Sequence, residues 1–284
     1  MASMRDIKRR KASIQSTGQI TKAMKLVSTV KLQKSRQKAE GSKPYFDLMY
    51  ETISSMLKKS GTIDHKYLRA GATDGKAVIA ITSNRGLAGG YNNNIVKLIA
   101  GNEALTPEKT RVYAIGRKGR DGLAKKGYEI AEDYSEVINE PIYRDVADVT
   151  AELLDAFGQN QIGEIYLAYT SFKNTVTHIP TLKKLLPVEA GDAGEKTDLV
   201  LMNYEPNEDQ VLDSIIPKYM SSLIYGALLE AVASENGARM TAMDSATNNA
   251  EEMIEELGLA YNRARQGSIT QELTEIIAGA NAIS

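Results

Sequence analysis

The sequence predicts an α/β chain. Its two ends form a long antiparallel two-helix coiled coil, with an α/β domain inserted between them. Three observations carry this. Proline-poor helical pattern fills both ends; the ends carry opposite charge; and between them short β-branched runs alternate with helical stretches. The division expected is 1–60 for the N-terminal coiled-coil helix, 75–203 for the inserted domain and 207–284 for the C-terminal coiled-coil helix.

From Met4 to about Glu40 the chain holds no proline and one glycine, Gly18. Apolar or small residues recur at helical spacing through Ile7, Ile14, Thr17, Ile20, Met24, Val27 and Val30, an apolar stripe on a basic cylinder. Glu40-Gly-Ser-Lys-Pro44 reads as a breaker or kink, because Pro44 disfavours helix at Lys43. Helical pattern then resumes to Gly61.

At the other end, the polar turn Asn203–Asn207 is followed by Glu208, Asp209 and Asp213, acids suited to a helix N-terminus. Pro217 falls near the start, where proline is best tolerated, and none follows it. Steps of three and four lead through Met220, Ile224, Ala227, Ala231, Ser234, Ala238, Ala242, Ala246, Asn249, Met253, Leu257, Ala260 and Ala264. The stripe is mostly small, which suits a close seam against another helix. About 70 helical residues would span roughly 105 Å, against a radius of gyration near 19 Å for a compact chain of this length. Such a helix needs a partner.

Charge names the partner. Residues 1–40 carry 11 Lys and Arg against Asp6 and Glu40, a net of +9; residues 205–284 carry 4 against 13 acids, a net of −9. The whole chain of 284 residues is at −1. The ends are therefore expected to pair. The last turns, Ile276 to Ile283, carry no charge and call for an apolar partner surface.

In the middle, strands are expected at 76–83, 111–116, 128–130, 162–172 and 176–186, the last pairing with its predecessor. Helices are expected up to about Ala100, up to Lys126 and over 145–157. This is a Rossmann-like α/β domain with a mainly parallel sheet.

Composition excludes several chemistries. There is no Cys, so no disulfide, thiolate nucleophile or Cys-held cluster; the 2 histidines, His65 and His178, lie far apart. No apolar run approaches the ~18 residues of a membrane span. No cofactor is expected. Ser83-Asn-Arg-Gly-Leu-Ala-Gly-Gly-Tyr-Asn92 sits where α/β folds bind phosphate, but its spacing is G-x-x-G-G and suits tight turns better. Gly116-Arg-Lys-Gly-Arg120 could greet an anion or be a solvated turn. Glu251, Glu252, Glu255 and Glu256 read as an exposed helix face, not a catalytic pair.

Three blocks resemble a known family. They are Ile7–Ile14 with Gln19–Val27, the turn Ser83–Asn92, and Ala233–Met243 with Ile269–Ala280. The last fits I-T-x-E-x-x-[DE]-x-x-x-G-A through Ile269, Thr270, Glu272, Glu275, Gly279 and Ala280. End to end, the chain resembles the gamma subunits of F-type ATP synthases, the central rotor stalk. The resemblance implies a non-catalytic shaft that couples ion-driven rotation of a c-ring to conformational cycling of catalytic beta subunits. Partners would be the alpha–beta hexamer, the epsilon subunit and the c-ring.

By the same resemblance, Lys8, Arg9, Met24 and Lys25 on one helix, and Arg265, Gln266, Thr270 and Gln271 on the other, would contact beta subunits. Ile276, Ile277, Ala280 and Ile283 would form an apolar bearing tip. Ala88 stands where some relatives have Cys, and the redox cysteine pair of chloroplast relatives is lacking. The start, without a transit peptide, suggests a bacterial protein, peripheral on the cytoplasmic face of the cell membrane. Two rival readings are a coiled-coil adaptor whose basic N-terminal helix binds nucleic acid, and a nucleotide-binding enzyme on the insert. The acidic far end and the lack of interleaved aromatics weigh against nucleic acid.

Overall fold

The computed structural model describes residues 4–59, 65–188 and 207–283. Most of the expected polar turn, Asn203 to Pro206, and the predicted helix end at Gly61 lie outside the described residues, as does the side chain of Ile283. The chain forms two compact units, Met1–Ser28 with Met240–Ser284, and Thr29–Arg239. These units divide both long helices part-way along.

Helix α1 runs Met4–Lys59 and helix α5 runs Glu208–Ile283. The break expected at Glu40–Pro44 does not occur. Pro44 lies inside α1, although an interior proline costs about 3 kcal/mol. The turns beyond it offset that cost. Ile53 and Met56 are buried in the domain core, each contributing about 1.5–3 kcal/mol, and the Phe46 ring meets Tyr225 edge-on at 6.3 Å. At the start of α5, the Asn207 side chain accepts the Gln210 amide at 2.9 Å, an N-cap.

The larger unit is a five-stranded sheet in the order β3-β2-β1-β4-β5. Its strands are β1 (Lys76–Ile81), β2 (Thr110–Ile115), β3 (Glu129–Asp133), β4 (Glu164–Phe172) and β5 (His178–Leu186). All neighbours are parallel except β4 and β5. Strand β1 is central, and Ala77 to Ile81 are fully buried. A continuous apolar run of this kind is what a strand covered on both faces requires.

Alternate residues serve the two faces. Val78, Ala80, Val112 and Ala114 pack with helix α2 (Tyr91–Ala100) and helix α3 (Arg117–Ala124). Ala77, Ile79, Ile81 and Ile115 pack with helix α4 (Tyr143–Gly158), Ile53 and Met56 of α1, and Leu212 to Ala231 of α5.

Near the N-terminal end of β4, Glu164 binds Lys76 at 3.0 Å, Lys184 at 2.8 Å and the Tyr166 hydroxyl at 3.0 Å, tying β1, β4 and β5 together. Burial pushes the Glu164 carboxyl up, but these three donors outweigh it and hold the group down at about 2. At the start of α5, Asp213 meets Lys66 at 2.8 Å and buried His65 at 3.3 Å. One histidine is thereby assigned to fastening α5 to the turn at Lys66–Leu68.

Candidate functional site

In the smaller unit the two helices run antiparallel in fixed register. A Cβ at Gly258 would lie 3.2 Å from the Lys11 Nζ, and one at Gly18 would lie 3.3 Å from the Ala250 Cβ. The Thr21 and Thr247 hydroxyls meet at 2.8 Å, and Lys25 reaches Asp244 at 2.5 Å. As one number rises the other falls, so each end finds its place along the other. Small residues at Gly18, Thr21, Ser28 and Ala250 permit this close approach.

The phase of the seam differs from the expected stripe over part of its length, while Ile7, Ile14, Leu257 and Ala264 are half-buried as expected. Ile20, Val27 and Val30 are more than half exposed at 58%, 57% and 55%, while Thr21 and Ser28 are buried. On α5 the buried positions are Met243, Thr247 and Ala250, one residue on from the expected Ala242, Ala246 and Asn249, and Met253 is exposed. A stripe of small residues has small neighbours on both sides, so composition does not fix its phase. Once close packing takes the small face, Ile20 and Val27 point outward.

The predicted contact residues fall as follows. Lys8, Arg9, Arg265, Gln266, Thr270 and Gln271 are exposed, whereas Met24 and Lys25 are half-buried. Several are engaged within the chain: Arg9 with Asp6 at 3.2 Å, Lys25 with Asp244, Thr270 through its hydroxyl to the Gln266 carbonyl at 2.9 Å, and Gln271 with Glu275 at 3.0 Å. Ile276, Ile277 and Ala280 are exposed. Glu251, Glu252, Glu255 and Glu256 lie exposed, as a solvated face requires.

In the larger unit, ligands of open α/β sheets bind where strand order reverses, here between β1 and β4 at their C-terminal ends. Helix α5 crosses that place. The buried Tyr91 hydroxyl donates to the Ala231 carbonyl at 3.0 Å, and Ser234 donates to the Thr170 carbonyl at 3.1 Å. Burial pushes the Tyr91 phenol well above its usual range, so it stays a donor.

The glycine-rich turn closes on itself. Ser83 N–H donates to Asn92 Oδ1 at 2.8 Å, and Asn92 Nδ2 donates to the Ser83 hydroxyl at 2.8 Å. The amides that open α3 are also taken. Arg117 N–H donates to Asn84 Oδ1 at 3.0 Å, Lys118 N–H to the Ser83 carbonyl at 3.1 Å, and Gly119 N–H to the Thr82 hydroxyl at 2.8 Å. A phosphate there would have to displace all three. Nothing in the spacing of the sequence marks these partners, since Tyr91 and Ala231 stand 140 residues apart. Among the described residues no group of three His, Asp or Glu could hold a metal, and no helix is long and apolar enough to cross a membrane.

Comparison with known proteins agrees with this geometry. A family model described as ATP synthase matches residues 3–283. The ATP synthase gamma chain of Lachnoclostridium phytofermentans is 66% identical over 292 residues, covering 100% of both chains. The ATP synthase gamma chain, sodium ion specific, of Acetobacterium woodii is 41% identical over 300 residues, covering 99% of both. Among solved structures, a chain of the Euglena gracilis mitochondrial ATP synthase has a TM-score of 0.68 at 20% identity, over 99% of this chain and 94% of that one. A chain of the Tetrahymena thermophila mitochondrial ATP synthase central stalk and c-ring has a TM-score of 0.59 at 24% identity, over 80% and 99%. The two structural likenesses are likenesses of fold; the full-length sequence matches establish that the chain belongs to the ATP synthase gamma chain family.

Proposed function

We propose that this chain is the non-catalytic central shaft of a bacterial F-type ATP synthase, coupling c-ring rotation to the conformational cycle of the catalytic beta subunits. The observation that carries the proposal is the end of α5. Ile276 and Ile277 are 68% and 59% exposed on a stretch without charge after Glu275. Apolar surface of this kind needs an apolar sleeve, and one without directional bonds lets a shaft turn.

The same reading divides the chain functionally into 1–60, 75–203 and 207–284. It assigns Lys8, Arg9, Met24, Lys25, Arg265, Gln266, Thr270 and Gln271 to beta-subunit contacts, and the inserted domain to epsilon and the c-ring. It makes the chain a peripheral component on the cytoplasmic face of the membrane. Occupation of the sheet crevice by α5, with the amides of α3 already spent, supports a part that transmits force rather than one that turns over nucleotide. A nucleic-acid adaptor is disfavoured because Arg9, Lys25 and Arg36 are paired within the chain.

The test is deletion of residues 270–284 in the assembled enzyme, following ATP-driven ion pumping and co-purification of the hexamer. Pumping should fall sharply while the sheet domain keeps its far-ultraviolet signature. Full pumping by the truncated enzyme would overturn the bearing role.

A further inference from the structure

The hairpin of β4 and β5 is strapped to α5 at successive turns of that helix. Glu230 accepts the Ser171 hydroxyl at 2.8 Å and the Phe172 amide at 3.3 Å. One turn on, Ser234 donates to the Thr170 carbonyl at 3.1 Å. One turn further, His178 at the start of β5 abuts Gly237, where a Cβ would stand 2.7 Å from Nε2 and 3.4 Å from the Thr175 carbonyl. Only glycine leaves room for that imidazole. The loop between the strands is held separately, by Asn174 Oδ1 accepting the Val176 and Thr177 amides at 3.0 and 2.7 Å. The hairpin tip is therefore a preformed piece laid on the helix.

The imidazole is the weak point of this strap. Its Nε2 is buried and has no hydrogen-bond partner. The charged groups lining the cavity beside Phe172 and Thr175 belong to three elements. Glu230 on α5 is seven residues from Gly237 and already holds Ser171 and Phe172. Lys173 and Lys183 are on the hairpin, and Arg36 and Glu40 of α1 pair with each other at 2.7 Å. No described carboxylate pairs with His178, and the Phe172 ring lies 6.1 Å away. The Thr170 hydroxyl, on the same face of the strand pair by register, is also buried and unpartnered, and it is neutral.

We infer that His178 makes the β4–β5 hairpin a proton-sensitive strap, closed on Gly237 while the imidazole is neutral and released when it is protonated. A proton on Nε2 would place a positive charge against the backbone of α5 with no acid to balance it. Burial accordingly holds the imidazole below its usual range. The sign follows. The open hairpin takes up a proton near pH 6.5 and the closed one only at lower pH. Closure is therefore complete above about 6.5, and the opening constant rises up to about tenfold for each pH unit below it.

The experiment is hydrogen exchange of the full chain at pH 7.5 and 5.5, corrected for intrinsic rates, with the His178 ring followed by NMR. Amides of residues 171–182 should lose protection several-fold at pH 5.5 while those of β1 and β2 keep theirs, and the ring should titrate below 6.5. His178→Phe keeps the ring without the proton and should remove the pH dependence. Gly237→Ala should open the strap at both pH values. A ring midpoint at or above 6.5, equal protection at both pH values, or undiminished pH dependence in His178→Phe would each overturn the inference.

Discussion

Thr21 and Thr247 stand 226 residues apart in the chain, yet their hydroxyls share a hydrogen bond of 2.8 Å inside the helix seam. Each also donates or can donate to its own helix, Thr21 to the Gly18 carbonyl at 3.0 Å and Thr247 to the Met243 carbonyl at 2.8 Å. A buried polar pair at one level of a two-helix seam marks the register, because a slip of one turn would part the two hydroxyls and leave each with only its own helix.

Thr21→Val or Thr247→Val should each cost about 1 kcal/mol, since the remaining hydroxyl keeps its helical carbonyl. The double variant should cost less than the sum. A double-mutant cycle by urea denaturation measures the coupling; strict additivity would show that the pair carries no mutual energy.

Helix α5 contains Pro217 near its start, whereas Ala242 lies deep within it and beside buried Met243. Ala242→Pro should cost about 3 kcal/mol or more through the lost hydrogen bond and the clash with the preceding turn. Thermal melting checks this, and an unchanged midpoint would contradict a continuous helix there.

Gly116 follows β2 at φ +117°, and a Cβ on it would lie 2.1 Å from the Thr82 carbonyl oxygen. Gly116→Ala therefore has to move the end of β1 or the start of α3. A loss of about 3 kcal/mol is expected, read by denaturant midpoint and by loss of amide protection at Gly119.

Glu164, held near 2 by Lys184, Lys76 and Tyr166, gives the sheet an acid-sensitive tie. Its folded pKa lies below the ordinary 4.5, so its stabilisation is present above that pH and is lost as pH falls toward 2. Glu164→Gln should cost about 2 kcal/mol at pH 6 and nearly nothing at pH 2. Stability curves for both proteins across pH 2–6 decide it.

The inserted domain was largely readable. Runs such as Ala77–Ile81 are apolar on every residue, and only a strand covered on both faces buries such a run. The site was less so. Its residues follow from a family resemblance, and no spacing rule pairs Lys25 with Asp244 or Tyr91 with Ala231.

The sequence by itself determined that the chain's ends are helices, that their opposite charges suit them to each other, and that an alternating strand–helix insert lies between. Tertiary structure decided which side of each helix is the seam. It turned Ile20, Val27 and Val30 outward and put Thr21 and Ser28 inside, because two backbones brought close together gain more from small residues than from large ones. It also carried α1 through Pro44, where the buried turns beyond outweigh one lost hydrogen bond. Periodicity reports that a face exists; which of two adjacent faces is chosen depends on a surface that a single helix does not contain.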